Sequence, residues 1–160
     1  MKIDILTKIR DIKLFLFDLE GVLIHKNAAN CIENIDKFIH QINIACEEFT
    51  KHKLKFGIVT ASNENFLEKI KTNSNCIVLS NSINKVQMVD DYLKHEIINY
   101  KQVLYIGDDI LDIPLLQKVG ISGAPKDGRR EVKRVVNFIT KSNSGEVLPE
   151  ILDYLKQTKK

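Results

Sequence analysis

Six side chains able to move a phosphoryl group lie spaced along this chain of 160 residues: Asp18, Thr60, Lys85, Asp108, Asp109 and Asp112. A carboxylate can attack phosphorus and form an aspartyl-phosphate. It must first approach a dianionic phosphate that repels it. A Mg²⁺ ion held between oxygen ligands offsets that repulsion and neutralises developing charge. Such an ion takes one or two carboxylates, with water and phosphate completing its shell. Asp18 and Asp108 are the natural pair. The Thr60 hydroxyl and the Lys85 ammonium would hold the remaining phosphoryl oxygens. Gly21 lets the backbone after Asp18 turn tightly and present N–H groups to phosphate.

The segments between these residues say how they would meet. Short apolar runs at 13–18 (KLFLFD), 54–60 (LKFGIVT), 76–80 (CIVLS) and 102–107 (QVLYIG) predict strands, joined later by 121–124 and 137–140. Between 31 and 52 the apolar residues Ile32, Ile35, Phe38, Ile39, Ile42, Ala45, Cys46 and Phe49 recur in steps of three and four, the mark of an amphipathic helix. Phe66, Leu67 and Ile70 predict a short helix over 63–71, with Ser62 as its cap. Val86, Val89, Leu93 and Ile97 predict another over 84–98. Further helices are expected at 111–119, closed by Gly120, at 129–136, and at 147–156, where Pro149 suits the first turn. Continuously apolar strands separated by helices predict an α/β fold: one Rossmann-like domain over 1–160, with a mostly parallel sheet flanked by helices.

In such sheets ligands bind beyond the carboxyl ends of the strands. Four consecutive strands here deliver an acid (Asp18), hydroxyls (Thr60, Ser62), an ammonium (Lys85) and acids (Asp108, Asp109, Asp112) to that one rim. Each has a plainer reading. Asp18 could cap a turn, the three later acids could favour a helix N-terminus, Thr60 could merely end a strand, and Lys85 could be an exposed helix lysine. A phosphoacceptor receiver domain also uses acids, Thr and Lys around Mg²⁺. It carries its phosphorylated Asp after the third strand, whereas here Ser80 stands there and the acid cluster follows the fourth.

Composition bounds the partners. Lys+Arg 24 against Asp+Glu 21 gives +3, too mild to imply nucleic acid or a membrane surface. No apolar run approaches the roughly 18–20 residues of a membrane span. The first residues, MKIDILTKIRDIK, scatter charges among apolar positions and lack the core of a signal peptide. A soluble, cytoplasmic protein is expected. Lys126, Arg129, Arg130, Lys133, Arg134 and the 159–160 tail predict a solvated basic face. Cys31, Cys46 and Cys76 form no metal spacing and are expected as buried or incidental thiols. His25, His40, His52 and His95 show no paired ligand spacing, and only His25 lies near the expected pocket.

Together these residues resemble the haloacid dehalogenase superfamily of phosphohydrolases. Residues 18–23, DLEGVL, are similar to its first motif, DxDGVL; Thr60 in IVTAS to its second; Lys85 in SINKVQMVDDYL to its third; and GDDILDIPLL, from Gly107, to its fourth. That fourth motif, GISGAP over 120–125 and the Thr140…Gly145-Glu-Val turn resemble a capless subgroup acting on 3-deoxy-sugar-acid phosphates such as 3-deoxy-D-manno-octulosonate 8-phosphate. The resemblance implies a domain without a cap and a Mg²⁺ cofactor. It implies Asp18 as nucleophile and metal ligand, and residue 20 as acid/base with its carbonyl on the metal. Asp108 becomes the second carboxylate ligand. Thr60, Lys85, Gly21 and Ala61 surround the phosphate. Asp109 and Asp112 stand behind the ligands, Asp112 orienting metal waters or Lys85. The implied substrate is a small phosphorylated metabolite.

The chain departs from that pattern at three places. Glu20 replaces the family's acid/base Asp, and its extra methylene moves the carboxyl by about 1 Å, enough to matter in catalysis. Residues 24–30 are too short for the hairpin with which the subgroup builds a tetramer whose subunits complete each other's sites, which undermines both that tetramer and the sugar-acid substrate; a homo-oligomer of another kind stays open. Ala61-Ser62 stand where the subgroup often has Gly-Arg. Two readings stay open: a Mg²⁺-dependent phosphomonoesterase, and a catalytically weakened or inactive module with a regulatory or structural role.

Overall fold

Leu14–Asp18 (β1) is buried along its whole length, and a strand apolar on both faces needs cover on both. A computed structural model, describing residues 8–26, 35–63 and 65–158, provides that cover. β1 is followed by β2 (Lys55–Val59), β3 (Ile77–Leu79), β4 (Val103–Ile106), β5 (Ile121–Ala124) and β6 (Phe138–Ile139). These six form one sheet in the order β3-β2-β1-β4-β5-β6, and every pairing is parallel.

Alternation along each strand divides the core in two. Phe15 and Phe17 of β1, Phe56 and Ile58 of β2, and Leu104 and Ile106 of β4 face helices α1 (Ile35–Lys51), α2 (Asn65–Asn73) and α6 (Val147–Thr158). Phe49 of α1 stacks on Phe56 at 5.1 Å and meets Phe15 at 5.0 Å, so aromatic contacts fix this helix against the sheet. Leu14, Leu16, Val59, Val103 and Tyr105 face the opposite side. There they meet α3 (Lys85–Glu96), α4 (Ile113–Leu116) and α5 (Arg130–Lys133). The fold is the expected α/β one, a single parallel sheet flanked by helices, with no cap among the described residues.

Several elements are shorter than the sequence predicts. The helix expected to 98 stops at Glu96, because Ile97 turns left-handed (φ 57°) and its N–H closes on the Leu93 carbonyl. The 111–119 helix is a 3₁₀ turn, Ile110–Asp112, leading into four-residue α4. The 129–136 helix shrinks to the four residues of α5, and the last strand to two. The start of the 31–52 helix, Cys31, the 24–30 loop beyond Lys26 and the basic tail at 159–160 lie outside the described residues. Cys46 and Cys76 are buried and free. No described helix is long and apolar enough to cross a membrane.

Candidate active site

β1 and β4 are neighbours, yet from them the chain runs to opposite edges of the sheet. This reversal opens a crevice at their carboxyl ends. Asp18 is the last residue of β1, and Asp108 lies two past the end of β4. Lys85 opens α3, which follows β3. All three side chains are buried, as is Asp112.

Lys85 is the hinge of this cluster. Its Nζ donates to Asp18 Oδ1 at 2.7 Å and to Asp112 Oδ1 at 2.6 Å, with the Tyr105 hydroxyl at 3.4 Å. Only 6% of the Lys85 side chain is exposed, which removes the reading of an ordinary surface lysine. Burial opposes its charge, but Asp18 and Asp112 outweigh that and hold its pKa above the usual lysine value. Burial, then the proximity of Asp112, pushes Asp18 well up, with Lys85 pulling the other way. A low-dielectric pocket crowded with acids thus favours any further cation.

Asp112 is saturated. Its Oδ1 accepts from Lys85 and from the Tyr105 hydroxyl at 2.6 Å, and its Oδ2 from the N–H groups of Asp108 and Asp109 at 2.9 and 3.0 Å. Asp109 meanwhile caps the 3₁₀ turn through Ile110 N–H. The helix-capping role and the cluster around Lys85 are therefore both present, on different members of one acidic run.

Ligand atoms of Asp18, Asp108 and Asp112 lie within 4.8 Å of one another. Since Asp112 has no acceptor capacity to spare, Asp18 and Asp108 are the pair that fits a divalent ion. Asp108 Oδ1 is buried without a hydrogen-bond partner among the described residues, a costly state that a metal would relieve. Burial raises the Asp108 pKa, with Lys26 opposing. Gly21 makes room for this carboxylate. Its φ is +85°, and a Cβ there would stand 2.3–2.5 Å from the Asp108 carboxylate atoms.

Thr60 and Glu20 complete the β2 side. Thr60 is buried, and its Oγ1 accepts from Ser62 N–H at 3.1 Å. Ser62 Oγ donates to Glu20 Oε1 at 2.9 Å. This bond spans 42 residues, and α2 begins at Asn65, two residues after the predicted start. Ala61, half-buried, lies between Thr60 and Ser62.

Three features escaped the sequence reading. Lys26 Nζ pairs with Asp108 Oδ2 and Asp109 Oδ2, each at 3.0 Å, and Arg129 Nε reaches Asp109 Oδ1 at 3.3 Å. Among the described members of the basic run, Arg129 is the one that pairs with these acids, and it stays exposed like Lys126, Arg130 and Arg134. Ser144 Oγ donates to Asp127 at 2.7 Å and meets His25 Nδ1 at 3.1 Å, latching the loops after β1, β5 and β6. Tyr105 alone carried a signal, a hydroxyl inside the otherwise apolar run QVLYIG. A cavity of about 720 Å³ between α1 and α2 contains none of these groups; Asn43, Cys46, Glu47 and Ser74 are among its lining residues.

The chain is similar to known phosphatases in sequence and in fold. The chain is 24% identical over 156 residues to the 3-deoxy-D-manno-octulosonate 8-phosphate phosphatase of Escherichia coli K12, covering 95% of this chain and 83% of that one. Its fold superposes with a TM-score of 0.83 on the Moraxella catarrhalis enzyme of that name, solved with a magnesium ion, a phosphate ion and a KDO molecule. Identity there is 19%, with 97% and 91% of the two chains covered. The cobalt-bound Haemophilus influenzae phosphatase gives 0.80 at 21% identity, with 95% and 91% covered. Residues 18–152 match the profile of the haloacid dehalogenase-like hydrolases, and with Asp18 at the first matched position this chain belongs to that family.

Proposed function

We propose that this protein is a Mg²⁺-dependent phosphomonoesterase working through an aspartyl-phosphate on Asp18. One observation carries the reading. Two buried carboxylates from adjacent strands converge at the sheet's switch point, and one Asp108 oxygen there has no partner among the described residues. Bound between Asp18, the Glu20 carbonyl and Asp108, the ion would neutralise phosphoryl charge that otherwise repels the nucleophile.

The chain's own groups account for the rest. Asp18 attacks phosphorus as the ester oxygen leaves with a proton from Glu20. Glu20 then takes a proton from the water that hydrolyses the acyl phosphate. Thr60, its oxygen steadied by Ser62 N–H, donates its hydroxyl hydrogen to a phosphoryl oxygen. Lys85 supplies positive charge on the same side, and the backbone at Gly21 and Ala61 offers N–H donors. Asp112 fixes Lys85 by a buried ion pair, and Asp109 holds Lys26 and Arg129 at the rim.

The substrate we assign is a small phosphorylated metabolite, with a sugar-acid phosphate favoured by the names of the curated relatives. Glu20 supports a second reading, a module of this family retained for a regulatory or structural role, since the longer acid has been drawn onto Ser62.

The test is phosphate release from an aryl phosphate and then from a panel of sugar and sugar-acid phosphates. Release is expected with Mg²⁺, none with EDTA, and none from Asp18→Asn. Turnover that survives Asp18→Asn would refute the covalent route. A silent wild type that gains turnover as Glu20→Asp would establish the second reading.

A further inference from the structure

We infer that Ser62 is the positioning residue that makes a glutamate workable as the proton donor of this site, an inference that rests on the phosphomonoesterase reading above. Three bonds meet at Ser62. Its N–H holds Thr60 Oγ1 at 3.1 Å, its hydroxyl holds Glu20 Oε1 at 2.9 Å, and its carbonyl accepts from Asn81 N–H at 3.2 Å. The loop after β2 is therefore pinned to the loop after β3, where Asn81 takes a left-handed φ of 71°. Ser62 is set on a fixed frame and does not follow Glu20.

A glutamate has one more rotatable bond than an aspartate and reaches about 1 Å further, so left alone its carboxyl would sample several rotamers. Glu20 itself is anchored only at the backbone end. Gly21 N–H bonds the Ile24 carbonyl at 2.8 Å, closing a tight turn, and Glu20 bridges to Ile24. The Ser62 hydroxyl supplies the missing restraint on the distal end. It engages one carboxyl oxygen, Oε1, and leaves Oε2 to carry the proton that a leaving alcohol needs. Because the same residue steadies Thr60, the proton donor and a phosphoryl-binding hydroxyl are held in one register. An error of an ångström here costs on the order of 10²-fold in rate.

General-acid help matters in proportion to how poor the leaving group is. A 4-nitrophenolate departs unaided, whereas an alkoxide does not. The measurement is kcat/KM, which covers steps up to transfer of the phosphoryl group to Asp18, for 4-nitrophenyl phosphate and for an alkyl phosphate such as glycerol phosphate. Ser62→Ala is expected to lose about tenfold on the alkyl ester, the worth of one hydrogen bond to a carboxyl group, and to stay within about twofold on the aryl ester. Ser62→Thr, which keeps the hydroxyl, should restore the alkyl rate. In a Glu20→Asp background, Ser62→Ala should add no further selective loss, because the shorter carboxyl no longer reaches the hydroxyl.

An equal loss on both esters would reduce Ser62 to loop structure and overturn the inference. So would an undiminished alkyl rate, or the same selective loss in the Glu20→Asp background. Absence of turnover by the wild type on either ester is a separate result. It removes the phosphomonoesterase reading and the role of Ser62 in it together.

Discussion

Lys85 is the most consequential side chain of the cluster. It is a buried cation shared by two buried acids, with 6% of Lys85, 9% of Asp18 and none of Asp112 exposed as side chains. Such a network contributes little net stability when intact, but removing one partner strands the others. Lys85→Met keeps the aliphatic volume and deletes the charge, leaving Asp18 and Asp112 facing each other across a dry pocket. A loss of about 3–5 kcal/mol in urea denaturation without added metal is expected. Mg²⁺ should return part of it by replacing the missing charge. A loss under about 1 kcal/mol would mean that water reaches these acids and that the site is far less buried than its geometry states. At this scale the sequence was legible in residue types and blind to pairings. Asp18, Thr60 and Asp108 stand out because polar groups at the ends of apolar runs are conspicuous, and Lys85 because it opens the helix after such a run. That Lys85 is buried, that Ser62 faces Glu20 and that Lys26 covers Asp108 are facts of approach across tens of residues. Only the tertiary fold sets such distances.

The elements that carry these side chains are legible where a periodic apolar face exists and illegible where packing replaces it. β1, β2 and β4 come within a residue or two of expectation because both faces are apolar. The 111–119 segment is drawn out of helix at its start because Asp109 and Asp112 exchange capping bonds there. The strap between β6 and α6 shows how such irregular stretches are held. Glu150, in the first turn of α6, accepts from Lys141 N–H at 3.0 Å, from Ser142 N–H at 2.8 Å and from the Ser142 hydroxyl. Partial burial works against its charge, yet these donors win and hold its pKa below the ordinary 4.5. A depressed folded-state pKa stabilises the protein above pH 4.5, where the unfolded chain is also ionised. That contribution disappears as the pH falls through the lowered value. Glu150→Gln should therefore be less stable than wild type at pH 7, with the difference closing as the pH falls through that lowered value. Urea denaturation across that range checks it. A difference independent of pH would show that shape, and not the carboxylate's charge, holds the strap.

For the molecule as a whole, the site is a place where folding free energy has been given up. Asp18 and Asp108 carry carboxyl groups into a buried rim, and Asp108 keeps an oxygen with no partner among the described residues. Unpaired buried polar groups of this kind cost stability in the metal-free protein and return it when a ligand arrives. An ion that binds only the folded form stabilises it by about 2.7 kcal/mol at a hundredfold excess over its Kd. In a chain of this length that corresponds to a Tm rise of about 5–10 °C. Titrating Mg²⁺ in a thermal unfolding experiment should show that rise. Asp108→Asn should abolish it while leaving the metal-free Tm equal to wild type or higher, because the amide needs no counter-charge in the same pocket. The two halves of the outcome belong together. A metal-dependent rise that persists in Asp108→Asn would place the ion elsewhere on the protein. A metal-free Tm that falls sharply would mean that the Lys26 ion pair already offsets the burial of Asp108 and that the carboxylate serves the fold before it serves the ion.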